Sequence, residues 1–143
     1  MNIWDDAWGE QEDDWSGGGA LAKRLVPGGR GHLLGATLYE LDPGDFVVYH
    51  AHHGSEELLI VLRGTPTLRE PGGERVLVEG DAVHFTTGPA GAHGLRNDTD
   101  ERVRYVMAGI RQSPEVVEYP DLNKVTGQSR HGIFFIHDIE GDA

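Results

Sequence analysis

Three histidines and a glutamate stand at spacings that could bring them to one metal ion. His50 and His52 follow a β-prone run at 46–49, and residues two apart on an extended strand point to the same face. Glu57 opens the next β-prone run, and Gly54-Ser55 between the two runs is a turn signal. Imidazole and carboxylate are ligands that Zn, Fe, Mn, Ni and Cu accept. The segment therefore predicts two imidazoles and one carboxylate converging on one divalent transition metal per subunit.

A second segment supplies a further imidazole. Residues 80–97 have the pattern of a strand, then a loop rich in Gly and Pro, then a histidine, His93, at the start of another strand. His93 could thus be a third nitrogen ligand. His53 directly follows the first pair, and alternation along the strand turns it away from the predicted site.

These two stretches resemble the two signature motifs of the cupin superfamily. The first motif there is a Gly, five residues, His-x-His, three or four residues, a Glu, six residues and a Gly. It is matched without a gap by Gly44, His50, His52, Glu57 and Gly64.

The second cupin motif is matched with two departures. Gly80, Gly88, His93 and Asn97 fit it, but Thr86 stands where a proline is usual. The loop at 88–93 is also two residues longer than the short form of the motif. Neither departure removes a ligand.

The resemblance covers about residues 31–110 and implies a fold and a site. It implies an all-β, double-stranded β-helix (jelly-roll) barrel. Further along the chain, the run 118–121 (Glu-Tyr-Pro-Asp) followed by Lys124 resembles the tail of a group of small single-domain bacterial cupins. The implied metal ligands are His50, His52, Glu57 and His93. The inner face beside them is expected to present the apolar side chains of Phe46, Val48, Leu59 and Val61.

Composition limits the class of protein. The chain has 143 residues, the usual size of one domain, and about eight short apolar runs separated by Gly-rich turns, which favour an all-β fold. The net charge of -12 argues against binding nucleic acid or an anionic membrane surface. There is no cysteine, no apolar run of membrane-spanning length and no signal-peptide pattern. We therefore expect a cytoplasmic protein.

The chain divides into three parts. Residues 1–19 form an acidic arm that carries Trp4, Trp8 and Trp15. It is predicted to lay these rings on the barrel or on a partner subunit, as either a short helix or an irregular segment; the alternative is a partly ordered acidic tail. Residues 20–111 are the predicted barrel. Residues 112–143 form a C-terminal arm, with a polar loop at 122–130 and a final apolar strand at 132–139. That last strand must be covered, and it could pack either within the subunit or against a partner. We expect a homodimer.

A metal held by three imidazoles and one carboxylate leaves two positions open if the site is octahedral. Substrate oxygens, water or O2 can then reach the metal. The sequence thus favours a metal-dependent enzyme acting on a small oxygenated molecule, as a dioxygenase, an isomerase or a lyase. The alternative is a non-catalytic barrel that binds a small molecule or a sugar.

Overall fold

The computed structural model is built almost entirely from β-strands and describes residues 2–6, 8, 11–13, 16–26, 33–129 and 132–139. Trp15 lies outside the described residues. The helices within these ranges are single 3-10 turns, at Pro89–Gly91 and Pro120–Leu122. Neither approaches the length of a membrane-spanning helix.

The described strands are short, and most follow the β-prone runs of the sequence. In chain order they are β1 (Gln11–Asp13), β2 (Gly19–Arg24), β3 (Leu34–Leu41), β4 (Phe46–His52), β5 (Glu57–Arg63), β6 (Thr67–Glu70), β7 (Gly73–Val76), β8 (Ala82–Phe85), β9 (His93–Arg96), β10 (Val103–Ile110), β11 (Glu115–Tyr119), β12 (Lys124–Ser129) and β13 (Gly132–Asp138).

The strands form two sheets with antiparallel pairing throughout. One sheet has the order β1-β2-β3-β10-β5-β8, and the other has the order β13-β12-β11-β4-β9-β6-β7. Neighbours in space such as β3 and β10, or β4 and β9, are far apart in sequence, as jelly-roll connections require. The all-β, double-stranded β-helix fold is confirmed.

The hydrophobic core lies between the sheets because strands from both contribute inward side chains to one cluster. Burying a Leu, Val or Phe side chain stabilises a fold by about 1.5–3 kcal/mol, so this cluster is the main apolar support of the barrel. Its members include Leu41, Leu59, Val61, Leu68, Leu77, Val83, Phe85, Leu95, Val103 and Tyr105.

Asn97 joins two parts of the barrel that the chain separates. Its buried side-chain amide donates hydrogen bonds to the carbonyl oxygens of Leu41, at 3.0 Å, and Glu101, at 2.7 Å. Its own oxygen accepts the amide N–H of Thr99 at 3.0 Å. The residue that ends the second motif thus fixes the turn between β9 and β10 against the end of β3.

The N-terminal arm lies on the outer face of the six-stranded sheet. The Trp8 ring lies 5.1 Å from the guanidinium carbon of Arg104, and that guanidinium donates a hydrogen bond of 3.0 Å to the carbonyl of Ile3. The Trp4 ring lies 5.4 Å from the guanidinium of Arg63. The described part of the arm is irregular at 2–6 and then adds β1 to the edge of β2, so it is an irregular segment with a short strand and not a helix.

The prediction of a polar loop at 122–130 is wrong. β12 occupies most of this segment and pairs with β11 on one side and β13 on the other. Its side chains are mostly polar, with Val125 as the one apolar side chain, so no apolar alternation marks it as a strand. Gly127 is required there because a Cβ at this position would lie 2.0 Å from the Phe135 ring.

Candidate metal centre

Strand pairing brings the three histidines together. His50 on β4 is the register partner of His93 on β9, and their ring centroids are 4.6 Å apart. The His52 ring centroid lies 4.9 Å from that of His50, two residues earlier on the same strand. The two motifs are therefore joined by one antiparallel pairing, which places all three imidazoles at one end of the barrel.

Glu57 completes the cluster from the opposite sheet. Its Oε1 atom lies 2.9 Å from Nε2 of His52 and 3.4 Å from Nε2 of His93. One ligand atom from each of His50, His52 and Glu57 lies within 4.8 Å of the others. Glu56 faces away and pairs with the exposed His84 at 2.9 Å, as the alternation along the strand predicts.

Backbone carbonyls orient two of the imidazoles. Nδ1 of His50 lies 2.7 Å from the carbonyl oxygen of Val48, and Nδ1 of His93 lies 2.9 Å from that of Gly91. Because a carbonyl only accepts hydrogen bonds, each Nδ1 carries the proton and each Nε2 keeps its lone pair. Carbonyl groups in this position hold metal-binding histidines in the correct tautomer.

His93 depends on two further residues that the motif spacing alone does not reveal. Its ring stacks on Phe85, with centroids 3.7 Å apart and planes inclined by 13°. Gly91 approaches the backbone of Thr86 so closely that a Cβ there would lie 1.7 Å from the Thr86 carbonyl oxygen. The longer loop of the second motif thus folds into a 3-10 turn that carries the carbonyl bound by His93.

Glu115 is a buried carboxylate behind His52 that sequence reasoning missed. Its Oε2 atom lies 4.0 Å from Nδ1 of His52. Oε1 accepts the amide N–H of Gly54 at 2.6 Å, and Oε2 accepts the hydroxyl of Ser55. It escaped notice because it lies about sixty residues further along the chain, in a segment without a motif. The only sequence signal was a pair of acids, Glu115 and Glu118, in the run 115–119.

Burial and mutual contact set the protonation of the cluster. Burial lowers the pKa of His50 to about 3, helped by its proximity to His93 and His52. Burial alone would lower the pKa of His52, but contact with Glu57 and the nearby charge of Glu115 raise it overall. Burial likewise opposes ionisation of Glu57, yet contacts with His52 and His93 hold its pKa well below the usual value. The site therefore combines a neutral imidazole with an ionised carboxylate.

The donor set fits a transition metal ion. Nε2 of His93 is buried without a hydrogen-bond partner among the described residues, and its lone pair faces Oε1 of Glu57 at 3.4 Å. Buried polar atoms that make no hydrogen bond are costly, and a cation placed among them would satisfy both. The cluster of His50, His52 and Glu57 could hold a metal ion, with His93 as the adjoining fourth donor.

A cavity of about 600 Å³ opens onto this cluster. His50, His52 and Glu57 stand at its wall, together with Phe46 and Val48, two of the four residues predicted to line it. The structure places the other two predicted lining residues, Leu59 and Val61, in the core cluster instead. They face inward as expected, but side chains from both sheets cover them.

The chain was compared with known proteins. The family model of the Cupin domain matches residues 37–109. No match was found among curated proteins.

Solved structures of similar fold cover most of the chain. A protein of Acidithiobacillus ferrooxidans, named provisionally as a sugar phosphate isomerase, is 28% identical, with a TM-score of 0.82 over 92% of this chain and 85% of that chain. A cupin of Silicibacter pomeroyi named as a sugar phosphate isomerase is 27% identical, with a TM-score of 0.77 over 86% and 78% of the two chains. A Cupin 2 conserved barrel domain protein of Salinispora arenicola is 23% identical, with a TM-score of 0.58 over 73% of this chain and 83% of that chain. The family match agrees with the double-stranded β-helix and with the His-x-His and Glu of the first motif that this fold positions. The chain therefore belongs to the cupin superfamily.

Proposed function

We propose that the protein is a metal-dependent isomerase of a small polyhydroxylated molecule. One divalent transition metal per subunit (Zn, Fe, Mn, Ni or Cu) would bind His50, His52, Glu57 and His93. The observation that carries the proposal is the convergence of His50, His52 and Glu57, from both sheets, on the wall of a cavity large enough for a sugar-sized substrate, with His93 buried beside Glu57. When bound, the metal supplies a Lewis acid that polarises a substrate carbonyl or hydroxyl.

The cavity wall carries both polar and apolar side chains. The Tyr105 phenol lines the cavity, and burial, with smaller contributions from Tyr39 and Glu57, raises its pKa well above the ordinary value. Tyr105 therefore stays protonated at neutral pH and can donate a hydrogen bond to a substrate oxygen. Val48 and Met107 face the same space and exclude water from the reacting carbons.

The choice of an isomerase over a dioxygenase or a lyase rests on the comparisons. Two solved cupins that carry the name sugar phosphate isomerase align with most of this chain, at more than a quarter identity. Isomerisation of a sugar moves a proton between adjacent carbons and consumes no second substrate. A metal that binds neighbouring substrate oxygens is suited to that reaction.

The test combines metal analysis with a turnover assay. Plasma mass spectrometry of untagged protein should find about one equivalent of a transition metal, and aldose substrates should be converted to ketoses in a reaction that a chelator abolishes. His52→Ala should lose both the metal and the activity. The matched control is His53→Ala, because His53 is exposed and pairs with Glu118 at 2.8 Å, away from the cluster.

Two results would contradict the proposal. A His52→Ala variant that keeps its full metal content would show that the ligand assignment is wrong. Metal-loaded protein that binds sugars but returns them unchanged would identify a non-catalytic binding module instead.

A further inference from the structure

A second cavity, of about 310 Å³, adjoins the metal centre and has a different chemical character. It shares Tyr39, His52, Glu57 and Met107 with the larger cavity, so the two meet at the cluster. At its other end the wall includes two arginines, Arg24 and Arg111. One continuous space thus runs from the predicted metal ligands to a pair of guanidinium groups.

Strand register explains why Arg24 faces this space. Arg24 belongs to a row of residues that are paired in register across four neighbouring strands. The row consists of Arg24 on β2, Thr37 on β3, Met107 on β10 and Leu59 on β5. Residues paired in register across a sheet point to the same face, and Leu59 belongs to the inner core. Arg24 therefore ends an inward-facing row, whereas its neighbour Lys23 faces outward.

Arg111 reaches the cavity because of a glycine. It directly follows β10, and its side chain passes over Gly35, where a Cβ would lie 2.7 Å from Cγ of Arg111. The Arg111 backbone N–H donates to the carbonyl of Leu33 at 2.6 Å, which fixes this end of β10 against the start of β3. The absence of a side chain at Gly35 leaves room for the arginine stem along the sheet.

Neither arginine has a carboxylate partner among the described residues, in a chain that carries 24 acids and only 12 lysines and arginines. Most of the other cations in the described ranges are within 4.0 Å of a carboxylate, namely Arg69, Arg75, Arg96, Arg102, Arg104 and Lys124. The two acids on the wall of the small cavity, Glu57 and Glu115, are held at its other end by His52 and Ser55. The charge of Arg24 and Arg111 is thus available to an anion that enters from solvent.

We propose that Arg24 and Arg111 form a subsite for the terminal phosphate group of the substrate. A guanidinium group presents a planar fork of donors that matches phosphate oxygens, and charge-assisted pairs of this kind are the stronger hydrogen bonds. Arg24 and Glu57 are on strands three positions apart in the sheet, which corresponds to about 14 Å at roughly 4.8 Å per strand. The phosphate would thus be bound at the far end of the substrate from the metal. This subsite rests on the proposed function, since it names the substrate class of the same site.

The experiment measures binding separately from turnover. Isothermal titration calorimetry of the full-length protein, both metal-loaded and chelator-treated, would compare glyceraldehyde 3-phosphate, ribose 5-phosphate and glucose 6-phosphate with their unphosphorylated counterparts. We expect at least one phosphorylated sugar to bind tenfold or more tightly than its counterpart. Inorganic phosphate should compete, and added salt should weaken the binding.

Substitutions then assign the effect to the two arginines. Arg24→Gln and Arg111→Gln should each weaken binding of the phosphorylated sugar by about tenfold, as expected for a hydrogen bond to a charged group. The unphosphorylated sugar should bind as before. Lys23→Gln is the matched control, because it removes the same charge from the outer face of the same strand. Arg24→Lys and Arg111→Lys, which keep the charge, test the need for the guanidinium fork if a glutamine variant folds poorly.

The outcomes separate the two proposals. Equal affinity for phosphorylated and unphosphorylated sugars, or wild-type affinity in both Arg24→Gln and Arg111→Gln, would overturn the subsite even if neutral sugars are isomerised. Phosphate-dependent binding that needs both arginines and persists in chelator-treated protein would support the subsite even if no sugar is turned over.

Discussion

The Oε2 atom of Glu115 lies 4.0 Å from Nδ1 of His52, while the other ring nitrogen, Nε2, lies 2.9 Å from Glu57. The imidazole thus stands between two carboxylates, one from the predicted ligand set and one from β11. At this distance Glu115 makes no direct hydrogen bond to the ring, but its negative charge raises the pKa of His52 and so increases the basicity of the imidazole as a ligand. Glu115 is itself held by Ser55 and the backbone of Gly54, so its position does not depend on a bound metal.

Removing the charge of Glu115 should therefore weaken metal binding. We expect Glu115→Gln to reduce metal affinity by about 10- to 100-fold, the usual effect of losing such a group. Competition with a chromophoric chelator would measure this. Glu118→Gln is the matched control, because Glu118 is on the same strand but pairs with His53 outside the cluster. Equal metal affinity in the two variants would assign Glu115 a purely structural role.

The proximity of His50, His52 and Glu57 could be predicted from the sequence because it depends on local spacing. Alternation places His50 and His52 on one face of β4, and the short turn after them brings Glu57 back toward that face from the opposite sheet. His93 required the resemblance to a family, since its pairing with His50 joins segments more than forty residues apart.

Other features could not be predicted because they arise from contacts distant in sequence. Glu115 reaches His52 only when β11 pairs beside β4, and that pairing involves few residues. β12 lacks apolar alternation and is a strand because both neighbours pair with it. The inward position of Arg24 depends on its register across three further strands.

The metal-free protein should lose stability as the pH falls below 6.5. The pKa of His50 is lowered to about 3 in the folded protein from 6.5 in the unfolded chain. Between these values the unfolded chain binds the extra proton, so the free energy of unfolding falls with pH, by up to about 1.4 kcal/mol per pH unit for one proton. Glu57, whose folded pKa is also lowered, adds to this loss in more acidic solution. His52 acts in the opposite sense: its raised pKa gives stability that is lost as the pH rises through the folded value.

Urea unfolding at several pH values between 5 and 7, with chelator present, would test this dependence. His50→Gln should flatten the dependence of the free energy of unfolding on pH, because the buried group that resists protonation is gone. His84→Gln is the control, since His84 is exposed. An unchanged slope in His50→Gln would show that another group takes up the proton.

The N-terminal arm should contribute to stability through Arg104. This arginine is 1% exposed and pairs with Glu40. The arm supplies two further acceptors to its guanidinium group, the Ile3 carbonyl oxygen at 3.0 Å and the Asp6 carboxylate at 2.5 Å. Deleting residues 1–16 would remove both of these acceptors and leave a buried charge with Glu40 as its remaining carboxylate partner among the described residues. We expect the free energy of unfolding to fall by at least about 1.5 kcal/mol, the usual contribution of a hydrogen bond to a charged group.

Point variants distinguish the contact from the mere presence of the arm. Asp6→Asn should reproduce part of the loss in chemical denaturation, whereas Asp5→Asn, at an exposed neighbour, should stay within about 0.5 kcal/mol of the parent protein. A deletion variant with the stability of the full chain would mean that water replaces the arm at Arg104 without cost.

The C-terminal strand leads to a prediction about assembly. β13 is at the edge of the seven-stranded sheet, and its Ile133, Phe134 and Ile136 side chains are 42–59% exposed. An exposed apolar edge strand invites pairing, and we propose that a second copy of the chain covers it about a two-fold axis, as in most homodimers.

Light scattering after size exclusion should then give the mass of a dimer. Phe134→Lys should shift the protein toward the monomer, because it places a charge within the apolar contact. Val76→Lys is the matched control, as Val76 is 62% exposed on β7 at the opposite edge of the same sheet. A dimer that survives the change at Phe134 but dissociates with the change at Val76 would place the interface at β7, and a monomeric parent protein at every concentration would exclude the dimer.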